Sequence, residues 1–232
     1  MLPILIQNDS VTNQDLEPII QEKTLSIAEL ITDGGMAGQI IIVVLFVLLF
    51  VAVYLYFERL FAIKAATDYD ANFMSQIREN ISSGNMQAAK VLCSQKNTPV
   101  ARLTEKGISR IGSPLEDINT AIENAGKLEV YKLEKNVSVL ATISGAAPMI
   151  GFLGTVIGMI LTFKEMANAG GQIKLDMMAE GIYTAMTTTV AGLLVGIIAY
   201  FGYNFLVTRV DRVVYKLEDS AMAFLDLLHE PA

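Results

Sequence analysis

The sequence predicts an all-α integral membrane protein with three transmembrane helices and long cytoplasmic helical extensions. Uncharged apolar runs occupy 34–57, 136–163 and 181–208. Each run exceeds the roughly 20 residues that a helix needs to cross the hydrocarbon core of a bilayer. A charged stretch with helical spacing of its apolar residues, 58–135, separates the first run from the second.

The distribution of basic residues predicts the orientation of the chain. About two-thirds of all Lys and Arg fall in 58–135, and three more follow the third run in 209–232. The segment 1–35 has six acidic residues and one Lys, and 164–180 has only two Lys. Because cytoplasmic loops carry the excess of Lys and Arg, we expect the N-terminus outside and the C-terminus in the cytoplasm.

The N-terminal segment, 1–35, contains an amphipathic pattern over 16–32. It predicts a helix that lies on the outer membrane surface or packs against another subunit. The first span, 36–57, is bulky and apolar throughout, which favours contact with lipid and apolar neighbours.

The cytoplasmic region 58–135 contains four helix signals. Two helices are predicted from Asp68 to Ser82 and from Met86 to Gln95. A third begins at Pro99 after a Thr98 cap and ends near Gly112. A capping box at 113–116 then predicts the start of one long helix from about 114 to 163, which runs without a break into the second span, 136–163.

The short loop 164–180 predicts that the second and third spans form an antiparallel hairpin. The third span, 181–208, keeps its helical apolar stripe beyond the membrane, so the tail 209–232 is expected to continue as a cytoplasmic helix.

Small and hydroxylated residues mark one face of each hairpin helix. In the second span they alternate at spacings of four and three, which places them on one side of a helix. These residues are Ser144, Pro148, Gly151, Thr155, Gly158 and Thr162. Thr155 lies eight residues before Phe163 and Thr189 eight residues after Gly181, so both are expected about 12 Å from the outer ends of their helices.

Two interpretations of these faces stay open at this point. One is close helix packing through small residues: Gly151, Gly154, Gly158, Gly192, Gly196 and Pro148. The other is a polar lining for ions or for a partner helix, formed by Thr155, Thr162, Thr184, Thr188 and Thr189.

The sequence contains no pattern typical of an enzyme. It has one His, His229, close to the C-terminus, and no metal-ligand spacing, nucleophile motif or phosphate loop. The lone Cys93 has no partner for a disulfide and is interpreted as a structural thiol. We therefore predict no catalytic activity, no cofactor, no metal and no nucleic-acid partner.

Two motifs resemble those of the ExbB/TolQ/MotA family of proton-channel subunits. One is G-F-L-G-T-V-I-G-M at 151–159, after Ala147-Pro148, and the other is G-I-Y-T-A-M-T-T-T-V-A-G-L at 181–193. The chain resembles ExbB most, because MotA proteins have four spans. The order of spans fits the family along the whole chain, whereas the specific motifs lie in the second and third spans.

The resemblance implies a stator subunit of the bacterial inner membrane that uses the proton motive force. Family members form a homopentamer around the single membrane helices of an ExbD-type partner dimer, and movement passes to a TonB-type energy transducer or to the Tol system. The two pore threonines of the family correspond to Thr155 and Thr189. A TolQ-type role and a non-conducting membrane scaffold are the alternatives.

One position departs from the family pattern. Typical ExbB proteins have a glutamate where this chain has Thr184, and Glu180 is the nearest carboxylate, one turn earlier. Glu180 is interpreted as an entrance group for protons or as a solvated acid favoured at a helix start. Since no ionisable residue lies inside the three spans, we expect a partner to supply the titrating group.

Overall fold

The computed structural model describes residues 35–67, 72–168 and 175–229, which are almost entirely helical. The helices in chain order are α1 (Gly35–Thr67), α2 (Phe73–Ser82), α3 (Met86–Gln95), α4 (Pro99–Ile108), α5 (Leu115–Glu134), α6 (Val137–Asn168) and α7 (Leu175–His229). The predicted helix over 16–32 and residues 169–174 of the predicted loop lie outside these described residues.

Three helical stretches among the described residues are long and apolar enough to cross a membrane. They are Gly38–Thr67, Leu115–Asn168 and Gly181–His229. Large apolar side chains on them are widely exposed in the single chain, including Phe50, Met149 and Phe201. Exposed apolar surface on this scale needs lipid or other protein to cover it, so the structure is that of a multi-pass membrane protein.

The membrane part is a three-helix arrangement. α6 and α7 pack along each other as an antiparallel pair, and α1 contacts both of them. Leu45 and Ala52 lie on the buried side of α1, while many of its other apolar residues face outward. α7 is continuous over 55 residues, about 80 Å, which confirms the prediction that the third span continues as a helix into the tail.

The remaining helices form a bundle around α4, and the end of α7 closes it. Phe224 of α7 is fully buried against Gly107 of α4. A Cβ at Gly107 would lie 2.5 Å from the Phe224 ring and 3.0 Å from Ile122 of α5. Because Gly107 has no side chain, the Phe224 ring and Ile122 of α5 can pack directly against α4.

The prediction of one unbroken helix from about 114 to 163 is wrong. α5 ends at Glu134 and α6 begins at Val137, because Asn136 has a φ of 66° and leaves the helical conformation. Asparagine is one of the few residues other than glycine that adopts this left-handed region readily. Pro148, by contrast, lies inside α6 without ending it.

The predicted caps have different outcomes. The Thr98 cap is confirmed, since its hydroxyl accepts a hydrogen bond from the Ala101 amide at 3.3 Å and Pro99 opens α4. α4 ends at Ile108, earlier than predicted. The capping box at 113–116 is wrong, because Pro114 itself takes the N-cap position and no side chain caps α5. Glu116 is consequently one residue too early to complete the box.

Candidate functional site: the hairpin of α6 and α7

Glycines bring the backbones of α6 and α7 into direct contact. A Cβ on Gly151 would lie 2.7 Å from the carbonyl oxygen of Thr188 and 3.0 Å from the Cα of Gly192. A Cβ on Gly192 would lie 2.6 Å from the Ala147 carbonyl oxygen. Since real Cβ atoms do not approach backbone this closely, each methyl group would force the two helices apart.

The contact extends along the hairpin in both directions. Gly196 packs on the ring of Pro148, where its Cβ would lie 2.6 Å from Cγ. Gly158 faces Ala185, where its Cβ would lie 2.9 Å from the alanine methyl. At the loop end, Gly181 lies against the side chain of Thr162. Small residues therefore alternate across the whole antiparallel contact.

Thr188 lies between the two helices. It is 1% exposed, and its side chain occupies the space in front of Gly154, which has no side chain of its own. Its hydroxyl is 3.2 Å from the Gly151 carbonyl oxygen across the contact and 2.7 Å from the Ala185 carbonyl oxygen on its own helix. Within one chain this hydroxyl is not on a surface that water or an ion reaches.

Thr189 also connects the helices. Its hydroxyl donates to the Gly151 carbonyl oxygen at 3.2 Å, but its side chain is only partly buried. One carbonyl on α6 thus receives hydroxyls from two successive residues of α7. Thr189 differs from Thr188 in keeping part of its surface open.

Thr155 lies at the depth of these two threonines, one residue beyond Gly154. Its hydroxyl donates to its own helix, to the Phe152 carbonyl oxygen at 2.6 Å, and the side chain is partly exposed. Thr162 likewise donates to its own helix, to the Gly158 carbonyl oxygen at 2.9 Å. Such back-bonding satisfies a hydroxyl in an apolar environment.

The two other predicted site residues lie towards the loop end of α7. Thr184 faces α1, with its methyl group 3.4 Å from where a Cβ of Gly38 would be. Glu180 lies in α7, but its side chain is outside the described residues.

The hairpin interior has hydroxyls and carbonyls but no fixed charge. Residues 137–163 and 181–208 contain no Asp, Glu, Lys, Arg or His. In the part of the chain that the structure describes, no group of three His, Cys, Asp or Glu residues is arranged to hold a metal ion. The arrangement therefore offers hydrogen-bonding groups inside an apolar segment but no side chain that carries a charge.

The spacing of threonines did not distinguish Thr188 from Thr189. Neighbouring residues on a helix differ by about 100° in direction, and small shifts in the rotation of α7 decide which of them faces α6. No local pattern indicated the polar contacts of Arg59 in α1 with Lys132 in α5, or of Arg102 in α4 with Glu129 in α5, because the partners are far apart in the chain.

The fold and the hairpin define a multi-pass helical membrane protein. The model of the MotA/TolQ/ExbB proton channel family matches residues 95–219, more than half of the chain and all of α6. The chain belongs to the MotA/TolQ/ExbB proton channel family.

Some of the relatives are named ExbB and others TolQ. A putative biopolymer transport protein ExbB homolog of Methanothermobacter thermautotrophicus is 30% identical over 142 residues, 61% of this chain and 50% of that protein. A Tol-Pal system protein TolQ of Haemophilus influenzae is 35% identical over 112 residues, 48% of this chain and 49% of that protein. A biopolymer transport protein ExbB of Aquifex aeolicus is 37% identical over 102 residues, 43% of this chain and 68% of that protein. The chain spans about half the length of the first two of these relatives.

Proposed function

We propose that this chain is an ExbB-type stator subunit that uses the proton motive force to energise TonB-dependent transport across the outer membrane. It would act in the inner membrane with its N-terminus in the periplasm and its C-terminus in the cytoplasm. The observation that carries the proposal is the family match over 95–219, which contains α6 and most of α7. Relatives named as ExbB support this type of subunit.

Within the hairpin we assign the proton pathway to Thr155 and Thr189. They share one depth, and both residues are partly exposed. Thr188 is assigned instead to holding the two helices in register, since it is buried between them. Thr162 and Thr184 extend the polar face towards the loop, with Glu180 as an entrance group.

The absence of an acid in residues 137–163 and 181–208 requires a partner. A proton-driven device needs a group that takes up and releases the proton, and ionisable residues inside membranes commonly serve this purpose. We propose that the carboxylate comes from the membrane helix of an ExbD-type dimer, surrounded by a homopentamer of this chain. The exposed apolar surface of α6 and α7 supplies the contact area for such an assembly.

A TolQ-type role is the second candidate, favoured by the similarity to the Haemophilus protein. Complementation separates the two functions. An ExbB-type subunit should restore TonB-dependent uptake to a strain that lacks its own subunit, and a TolQ-type subunit should restore outer-membrane integrity.

The valine variants Thr155→Val and Thr189→Val test the assigned pathway. Valine keeps the shape of threonine but removes the hydroxyl, so the ring should assemble with its partner while proton-driven uptake is lost. Thr142→Val and Thr208→Val are matched controls on the same two helices, because both hydroxyls are exposed and bond only to their own helix. Full uptake by the first pair of variants would favour the non-conducting scaffold.

A further inference from the structure

The break between α5 and α6 leaves a backbone carbonyl without its helical partner. In a continuous helix the amide of Asn136 would donate to the Lys132 carbonyl, four residues earlier. The last backbone hydrogen bond of α5 instead runs from the Lys135 amide to the Tyr131 carbonyl at 3.1 Å, and Asn136 turns away with a φ of 66°. The last carbonyls of a helix need another donor, and a partly buried one is costly to leave without it.

Arg59 of α1 supplies that donor. Its Nη1 lies 3.3 Å from the Lys132 carbonyl oxygen, 73 residues away in the chain. The guanidinium is largely buried, and its positive charge lies at the C-terminal end of α5, where the helix dipole favours a cation. A side chain of the first membrane helix therefore caps a cytoplasmic helix at the point where the chain enters the second span.

Neighbouring polar groups hold this cap in place. The carboxylate of Glu58 pairs with the other terminal nitrogen of Arg59. One turn back on α5, Glu129 pairs with Lys132 at 2.7 Å and with Arg102 of α4 at 2.5 Å. These contacts connect α1 and α4 to the end of α5, next to the break.

We propose that Arg59 is a positioning residue for the channel wall: by capping α5 at Lys132, it fixes the direction in which α6 enters the membrane. The inference rests on the proposed function, since α6 carries Thr155 and the Gly151 carbonyl. Through this cap, a movement of α6 against α1 would also move α5 and the bundle around α4. Without the cap, α5 and α6 lose their fixed relative orientation.

The distance between α5 and α6 tests the proposal directly. Spin labels on cysteines introduced at Leu128 and Met149, both well exposed, report this distance in the full chain in lipid nanodiscs, diluted with unlabelled chain. The native Cys93 is buried and does not compete for the label. In the chain with native Arg59, the distance between the two labels should have one narrow distribution.

Arg59→Met should add a second population of label distances. Loss of a hydrogen bond from a charged donor shifts the equilibrium between the capped and uncapped orientations of α5 and α6 by about tenfold. Arg59→Lys, which can still donate to the carbonyl, should restore most of the narrow distribution. Asn136→Gly should also keep it, since glycine accepts a positive φ. If Arg59→Met does not accumulate, Arg59→Gln replaces it, with a smaller second population expected.

Lys64→Met is the matched control for charge. Lys64 is an exposed cation in the last turn of the same helix, so its loss removes equal charge from the same membrane edge. An unchanged distribution in Arg59→Met, or equal broadening in Lys64→Met, would overturn the proposal.

Proton-driven uptake provides the second readout. It should fall in Arg59→Met and remain in Arg59→Lys and Lys64→Met. Lost uptake with an unchanged distance, or full uptake with a changed distance, would each overturn the positioning role. Failure of the proposed function has a different signature, in which Thr155→Val and Thr189→Val keep full uptake whatever the label distances show.

Discussion

The hairpin of α6 and α7 and the bundle around α4 are stabilised in opposite ways. In the hairpin, glycines leave no space between the backbones, and hydroxyls bond across to carbonyls. In the bundle, a large ring fills the space over a glycine, and ion pairs join the helices. Apolar burial drives association in water but not between helices surrounded by lipid, where close packing and hydrogen bonds must replace it.

This difference predicts opposite sensitivity to substitution. Removing side-chain volume should destabilise the bundle, whereas adding a single methyl group should destabilise the hairpin.

The largest effect is expected from Phe224→Ala. The ring is fully buried between α4, α5 and α7, and deletion of a buried phenylalanine costs about 3–5 kcal/mol. Thermal unfolding of the full chain in detergent measures the loss. Met222→Ala is the control two residues earlier, where the side chain is 60% exposed, and it should unfold close to the unsubstituted chain.

A somewhat smaller effect is expected from Gly192→Ala. The new methyl would lie 2.6 Å from the Ala147 carbonyl oxygen and 2.8 Å from the Cα of Gly151, and such overpacking costs about 1–3 kcal/mol. Gly145→Ala serves as the control, because a methyl group there would meet no atom of another part of the chain within 4 Å. Equal stability of the two variants would remove the proposed role of backbone contact in the hairpin.

The smallest of the three effects is expected from Glu129→Gln. Burial alone would raise the pKa of Glu129, but the hydrogen bonds and charges of Arg102 and Lys132 outweigh it and hold the pKa below its ordinary value. A carboxylate with a lowered folded-state pKa stabilises the fold above the unfolded pKa of about 4.3, and this contribution is lost as the pH falls through the folded value.

Glu129→Gln should therefore lower the free energy of unfolding by about 1–2 kcal/mol at pH 7. Below about pH 4 the variant and the unsubstituted chain should have the same stability. Unfolding curves at several pH values measure this difference. Glu123→Gln breaks an exposed ion pair with Lys127 and should change stability far less. A difference that grows as the pH falls would contradict the assignment of the ion pair.

Local signals in the sequence were sufficient for the membrane helices and for some caps. Uncharged runs of more than 20 residues leave few alternatives to spans, and Thr98-Pro99 carries its own cap and first-turn proline. The break at Asn136 was not predictable in this way. The donor that reaches the Lys132 carbonyl beside this break is Arg59, which is 73 residues away and becomes a neighbour only in the folded chain.

Other errors arose where two local rules competed. Ser113 is a good cap residue, yet the proline after it took the N-cap position and excluded it. For the candidate site, counting residues from the span ends predicted one depth for Thr155 and Thr189, but the rotation of α7 decided that Thr188 is buried. The partner acid that the proposed mechanism requires is not part of this chain.

The central claim is that the hydroxyls at the depth of Thr155 and Thr189 serve proton passage and not only packing. Proton flux into liposomes that contain the full chain assembled with its single-span partner, followed by a pH-sensitive dye, tests this most directly. Thr189→Val should assemble with the partner as Thr208→Val does but conduct far fewer protons. Equal flux through the two variants would contradict the claim.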